Sequence, residues 1–442
     1  MPENNMQNLF PAHGHSMCGE RIIELHGKQV YDLMNELAKP SPQQLAWQEM
    51  ELGMFCHFGM NTFCDQEWGE GTDSPELFNP EQFDARQWAR TAKRAGFKYL
   101  VLTAKHHDGF CLWPTRTTDY SVKSSPWKEG KGDVVREVAD ACREEGLRFG
   151  LYLSPWDRHE PCYPDQEAYD DFYAEQLTEL LTGYGPLVEV WFDGAGSQGR
   201  EYDWSRIIGL VDKYQPDAMV FNMGRPTIRW VGNEDGVAPY PCWNTATTAR
   251  ESMFTSDMMT WMEGTPAWVP AECDVPIRKL HWFWHPDDEA SLRSLEEVLD
   301  IYYRSVGHGA TLLLNVSPDN RGLLPESDVK RVIEFGDEIR RRFGQPVGQT
   351  NGEGSELLLT LAHLQPLNHV VIMEDIIHGE RIREYVLEAY SEGEWRELLR
   401  GSAIGHKKID RFETIETDRL RLTVLSSVEK PLIRSLAAYQ VD

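Results

Sequence analysis

The sequence has no C-x-x-C pair. Its eight cysteines, Cys18, Cys56, Cys64, Cys111, Cys142, Cys162, Cys242 and Cys273, fit no zinc-binding spacing. A structural zinc site is therefore not expected, the cysteines read as reduced thiols, and Cys56 and Cys111, set in apolar runs, read as small buried hydrophobes. No run of about 18 apolar residues occurs, so no membrane-spanning helix is expected. Positive charge is scarce: 44 Lys and Arg stand against 71 Asp and Glu, a net charge of −27 that repels phosphate backbones and excludes nucleic acid as a partner. Residues 1–20 are polar and lack the basic and then apolar stretches of a secretory signal. A cytoplasmic location is expected, with secretion of a processed form left open.

Aromatic surface is plentiful. Fifteen tryptophans offer flat apolar faces that can stack on sugar rings as well as fill a core. From residue 52 a repeating order begins. Strand-like runs at 52–58, 97–103, 147–153, 187–193 and 218–221 alternate with helical stretches at 84–95, 133–145, 166–181 and 204–214. Gly96, Gly146 and Gly183 suit left-handed caps that close the first three helices. The order turns irregular between Pro226 and Pro286, then resumes with a helix at 291–305, a strand at 311–316 and a helix at 326–343. Such alternation is the order of a parallel sheet, and roughly 300 residues of it fit an α/β fold of the (β/α)8, TIM-like barrel type. A doubly wound sheet is the alternative. Short strand-like runs at 357–361, 370–373, 383–390, 395–404, 407–412 and 419–425, separated by turn residues, predict a C-terminal antiparallel β-sandwich. The expected organisation is an N-terminal extension with a helix at 28–38 (1–44), the barrel (45–345) and the sandwich (346–442).

A barrel gathers on one face whatever follows its strands. Those positions hold His57, then His106 and His107, then Tyr152, then Asp193. Later segments add Asn222, Trp230, Glu234, Glu272, Asp274 and Asn315. Adjacent residues within a strand point to opposite faces, but past the strand end His106 and His107 can face one ligand. No H-x-H or H-E-x-x-H accompanies them, which favours hydrogen bonding to sugar hydroxyls over a metal. Glu67 beside Trp68 could hold a hydroxyl and a ring face together. Asp193 ends an otherwise apolar strand, where a carboxylate is costly without partners or a task, and Gly194 lets the chain turn away at once. Glycoside hydrolysis takes two carboxyl groups in different environments. Asp193 supplies one, and Glu234 and Glu272 both remain candidates for the other.

Together, His57-Phe58-Gly59, Glu67-Trp68, Lys105-His106-His107-Asp108-Gly109-Phe110, Trp191-Phe192-Asp193, the segment from Arg229 to Glu234 and the segment 270–278 closely resemble the α-L-fucosidases of glycoside hydrolase family 29. The resemblance covers about residues 45–340. It implies a retaining exo-enzyme that removes terminal α-L-fucose without a cofactor. It places the nucleophile on Asp193 and the acid/base on Glu234. It also implies a sugar pocket built from His57, His106, His107, Glu67 and Trp68. Tyr152, Trp191, Arg229 and Glu272 complete the expected substrate-binding set, with Glu272 as a binding or structural carboxylate. The Gly232-Asn233-Glu234 segment is similar to the branch acting on α-1,3/1,4-linked fucose. The expected partner is a fucosylated oligosaccharide or glycoconjugate, and a homo-oligomer is left open. Two other classes stay open: a fucose-binding relative without turnover, and a metal-dependent hydrolase built on His57, His106 and His107. Dialysis against a chelator is expected to leave activity intact, because the two-carboxyl mechanism moves its protons without an ion. Loss of activity that zinc restores would favour the metal hydrolase instead.

Overall fold

The structure is a computed structural model that describes residues 37–246, 266–279 and 281–442. The helix expected at 28–38 falls outside these residues except for its last two positions, as does Cys18. The seven described cysteines are free thiols, and no described helix is long and apolar enough to cross a membrane.

Local signals set the helices. In α1 (Pro42–Gln48), Ser41 and Gln44 form a reciprocal capping box. A single short helix, α2 (Met60–Cys64), follows the first strand. Helices α3 (Ala85–Ala95) and α4 (Val134–Glu145) start on Asp84 and Asp133, whose side chains accept backbone N–H groups, and stop on left-handed Gly96 and Gly146. Helix α5 (Gln166–Gly183) runs through Gly183 instead of ending before it, and Gly185, at φ 87°, makes the turn. Helices α6 (Trp204–Tyr214), α7 (Leu295–Arg304) and α8 (Glu326–Phe343) complete the set used below.

The first ten strands are β1 (Leu52–Cys56), β2 (Tyr99–Lys105), β3 (Arg148–Leu153), β4 (Leu187–Trp191), β5 (Met219–Phe221), β6 (Arg229–Trp230), β7 (Thr245–Ala246), β8 (Ala267–Trp268), β9 (Ala271–Pro276) and β10 (Thr311–Asn315). Eight of them form a parallel sheet in the order β5-β4-β3-β2-β1-β10-β9-β6. A bridge between Phe221 and Ile228 brings its two edges together, so the sheet is a nearly closed TIM-like barrel. Strands β7 and β8 pair separately as a small antiparallel ribbon. Strands β6 and β9 lie in the stretch whose sequence looked irregular. β6 has only two residues, and β9 carries Glu272, Asp274 and Pro276, which hide the apolar run of a buried strand. The barrel is filled by Phe55, Tyr99, Val101, Tyr152, Trp191 and Phe221 among others, with Trp47 of α1 packed into the same cluster.

The C-terminal β-sandwich is a six-stranded antiparallel arrangement of β11 (Gly348–Glu353), β12 (Glu356–Glu374), β13 (Ile382–Ser391), β14 (Glu394–Gly401), β15 (Lys408–Ser427) and β16 (Leu432–Tyr439). Each of the long strands β12 and β15 joins two of the short strands expected from sequence. Their pairing shifts register between Thr360 and Gln365 and between Leu367 and His369, so a local break in pattern does not end the strand. β11 and β16 were not expected, and β11 (Gly-Gln-Thr-Asn-Gly-Glu) has no apolar alternation. Leu367, Ile372, Tyr385, Leu387, Leu420 and Leu436 belong to a core of the sandwich's own.

Barrel and sandwich meet at Glu51. Its carboxylate accepts from His406 Nε2 at 3.0 Å and from Lys407 Nζ at 2.6 Å. Burial opposes ionisation of Glu51, but the Lys407 charge and the His406 hydrogen bond outweigh it and hold the carboxyl at about 2, below its ordinary 4.5. A carboxyl lowered in this way contributes stability in full above about pH 4.5 and loses it as pH falls towards 2. Glu51→Gln is therefore expected to lower the unfolding free energy at neutral pH by up to roughly 3 kcal/mol. Denaturant titrations from pH 7 to pH 3 should show the gap to wild type narrowing as pH drops. A gap of constant size across that range would mean that the clamp is not electrostatic.

Candidate active site

Strand ends build one cavity of about 490 Å³ at the mouth of the barrel. Along β4 and just past it, Glu189, Trp191 and Asp193 recur at every second residue, so all three point into the barrel. Glu189 accepts from Trp47 Nε1 at 3.2 Å, Trp191 donates through Nε1 to Glu272 at 2.9 Å, and Asp193 reaches the cavity. Asp193 accepts from the Tyr152 hydroxyl at 2.9 Å and from the Ala195 N–H at 2.8 Å. Gly196 lines the same wall at φ 71°, where a Cβ would lie 2.0 Å from the Trp156 ring.

The histidines sit past the ends of their strands and share the cavity. His57 Nδ1 donates to Asn315 Oδ1 at 2.9 Å, an oxygen that also accepts the His57 backbone N–H. His107 Nδ1 donates to Ser154 Oγ at 2.7 Å, the Ser154 proton being used on the Trp156 carbonyl. His107 Nε2 lies 3.7 Å from Asp193. His106 Nδ1 accepts from Asn61 at 3.4 Å. Burial lowers the pKa of all three rings, that of His57 to about 3, so each is a neutral imidazole. With the Nδ1 atoms engaged, the Nε2 atoms are left for a ligand: acceptors on His57 and His107, a donor on His106. The turn that carries them depends on Gly109, at φ 86°, where a Cβ would come 2.5 Å from Asp157. Asp157 is in turn held by buried Lys105 at 2.8 Å.

Glu67 is clamped. Its oxygens accept from the backbone N–H groups of Trp282 at 2.9 Å and Phe283 at 3.1 Å, and from His285 Nε2 at 2.7 Å. Glu234 stands on a loop turned by Gly232 (φ 101°) and by Asn233, whose side chain bonds the Asp235 and Val237 backbones. Glu234 is exposed at the mouth, but the packing on one side of it partly desolvates the carboxyl and raises it above its ordinary value; a hydrogen bond from Trp282 Nε1 opposes this, and the charges of Asp193 and Glu67 push it further up. Aromatic rings supply the apolar walls: Phe55 lies 5.3 Å from Trp191, which stacks on Phe221 at 3.8 Å. Trp68, 53% exposed, stands at the rim against Trp156.

The profile of the Alpha-L-fucosidase family matches residues 63–341. The chain is 41% identical to Alpha-L-fucosidase 1 of Arabidopsis thaliana over 446 residues, covering 91% of this chain and 88% of that one. The crystal structure of a putative alpha-L-fucosidase from Bacteroides ovatus superposes with a TM-score of 0.85 at 41% identity, covering 91% of this chain and 74% of the other. A glycoside hydrolase family 29 fucosidase of Ruminococcus gnavus, solved in complex with fucose, gives 0.81 at 32% identity, covering 92% and 95%. The chain belongs to the α-L-fucosidase family. It is a glycoside hydrolase acting on fucosylated substrates.

Of the fucosidase site residues expected from sequence, His57, Glu67, Trp68, His106, His107, Trp191, Asp193 and Glu234 all line the cavity. Three expected there do not. Tyr152 is fully buried beneath it and acts on Asp193 through its hydroxyl. Arg229 turns towards the carbonyl of Trp243, 3.0 Å away. Glu272 is 0% exposed, an inward-facing member of β9 held by Trp191 and by the Tyr99 hydroxyl at 3.0 Å. Its surroundings are the barrel core, which gives it, of the two places expected, the structural one under Trp191. Asp274, two residues on, does line the cavity, as do Asn222 and Trp230. These three stood among the strand-end residues but were not selected. Phe55 and Trp282 were missed: Phe55 looks like any core residue of β1, and Trp282 reaches the site from a loop with no local signal. Among the described residues, His57, His106 and His107 form no metal-binding group. The one group close enough is Glu67, His281 and His285.

Tyr152→Phe removes one donor from Asp193 and keeps the ring packing. A hydrogen bond to a charged group is worth about 1.5–3 kcal/mol, so kcat on an aryl fucoside is expected to fall roughly ten- to a hundredfold with KM little changed. Steady-state kinetics beside a thermal melt checks this. Unchanged kcat in a folded variant would reduce Tyr152 to packing alone.

Proposed function

We propose that this fucosidase is a retaining exo-enzyme that releases terminal α-1,3/1,4-linked L-fucose by double displacement. Asp193 attacks the anomeric carbon while Glu234 protonates the departing oxygen, and a covalent fucosyl-enzyme forms. Glu234 then takes a proton from the water that releases fucose. The observation that carries this reading is the contrast between the two groups in one cavity. Asp193 is fixed by Tyr152 O–H and Ala195 N–H, whereas Glu234, exposed at the mouth, is pushed towards its protonated form by partial desolvation and by the nearby charges of Asp193 and Glu67. Neutral His57, His106 and His107 and clamped Glu67 would hold the ring hydroxyls. Phe55, Trp191 and Phe221 offer the apolar slot that a 6-deoxy sugar needs. The fucose complex of the Ruminococcus gnavus relative supports fucose as the sugar bound. The linkage preference rests on the resemblance of Gly232-Asn233-Glu234 to that branch, and the cavity's open rim at Trp68 and Trp156 leaves room for a branched partner sugar.

Asp193→Gly is expected to lose about a thousandfold or more in kcat while staying folded, since nucleophile placement is lost outright. A 2-fluoro-fucosyl fluoride should label Asp193, read by peptide mass mapping. Label on another carboxylate, or inverted product by NMR, would overturn the assignment. Glu234→Ala should spare activated aryl fucosides, slow natural linkages far more, and respond to azide. In wild type the alkaline limb of kcat/KM should lie above the ordinary carboxyl range, because activity is lost as pH rises through the raised pKa of Glu234, and that limb should vanish in Glu234→Ala. A panel of 2-linked against 3/4-linked fucosyl oligosaccharides tests the linkage.

A further inference from the structure

The clamp on Glu67 brings together groups that hydroxyl binding does not need. His281 Nδ1 lies 3.6 Å from Glu67 Oε1, shielded from solvent and without a hydrogen-bond partner. His285 Nε2 lies 2.7 Å from the same oxygen, and the three potential ligand atoms fall within 4.8 Å of one another. The other nitrogen of His285, Nδ1, is hydrogen-bonded to the Asp65 carboxylate. That is the outer carboxylate which orients a metal-binding imidazole and fixes its tautomer. The second oxygen of Glu67 is held by the Trp282 N–H, so only one oxygen is turned towards the histidines.

We propose that Glu67, His281 and His285 form an inhibitory site for a borderline transition-metal cation such as Zn²⁺ or Cu²⁺ at the edge of the sugar cavity. Two imidazole nitrogens and one carboxylate oxygen are a donor set for Zn²⁺ that leaves a fourth position to water. Bonds of about 2.0–2.2 Å to a tetrahedral ion place ligand atoms roughly 3.3–3.5 Å apart. The Glu67–His281 gap is close to that spacing. The Glu67–His285 hydrogen bond must open by about half an ångström and release its proton to solvent as the ion takes its place. Because Glu67 lines the cavity, a bound ion withdraws its carboxylate from the sugar, and inhibition is competitive. This consequence rests on the reading of Glu67 as a fucose ligand; the site itself does not.

Co²⁺ titration of the full-length protein reads the site without turnover. One equivalent is expected to give the visible d–d bands of a tetrahedral N/O site without thiolate charge-transfer bands, so that the free cysteines are excluded. His281→Ala should abolish those bands while keeping basal activity. Asp65→Asn should weaken cobalt binding about ten- to a hundredfold. With an aryl fucoside, saturating Zn²⁺ should raise KM at least tenfold at unchanged kcat, EDTA should reverse this, and His281→Ala should be resistant. Cobalt bands that survive in His281→Ala, bands that are thiolate in character, or no bands at all would overturn the site. Cobalt bands lost in His281→Ala together with a KM insensitive to Zn²⁺ would overturn the inhibitory role.

Discussion

Carboxyl groups buried against aromatic walls, and held there by neutral donors, are the constraint on which the rest of this barrel depends. Glu189 takes the Trp47 indole, Glu272 takes the Trp191 indole and the Tyr99 hydroxyl, and Asp193 takes the Tyr152 hydroxyl. Moving such groups out of water is costly unless each finds donors or a proton. Burial raises Glu189, Glu272 and Asp274, and the proximity of Glu189 to Glu272 means that the pair retains a proton. Asp193, at the mouth, is supplied with two donors and a face open to the cavity.

The same rings therefore do two things. Trp191 holds Glu272 through its edge and presents a flat wall, stacked on Phe221, to whatever enters the cavity. Tyr152 stacks on Trp191 and His106 while its hydroxyl orients Asp193. Asn315 at the end of β10 fixes His57 and also grips the Trp282 carbonyl at 2.8 Å, tying the loop that clamps Glu67 to the strand that anchors the histidine. A change in any one of these groups is felt by several others, which is why single substitutions at the site are expected to be non-additive.

The sandwich supplies no side chain to the cavity lining. It does hold the far end of the segment that carries Glu234. Glu380 accepts from the Asn244 N–H at 3.0 Å and from its side-chain amide at 2.6 Å, and Tyr240 donates its hydroxyl to the Ala403 carbonyl at 3.0 Å. Together with the Glu51 clamp, these contacts make the sandwich a support for the barrel's irregular side, where β6 is short and the sheet closes through a bridge.

Helix ends, strand alternation and the identity of the strand-end residues were legible in the sequence, because each depends on neighbours a few positions away. Asp84 with Gly96, Asp133 with Gly146, and the residues following β1, β2 and β4 are of this kind. The motif residues from His57 to Glu234 could be gathered because a barrel sends every strand end to one face. Their place in one cavity therefore follows from topology without side-chain detail. What tertiary structure alone decided are contacts across large separations: Tyr99 with Glu272 over 173 residues, Trp191 with Glu272 over 81, and Trp282 with Glu67 over 215. Whether a carboxyl faces water, a sugar or a tryptophan edge is set by which distant side chains pack around it. Glu272 and Glu234 are chemically identical in the sequence, and packing alone buries one in the core and leaves the other at the mouth.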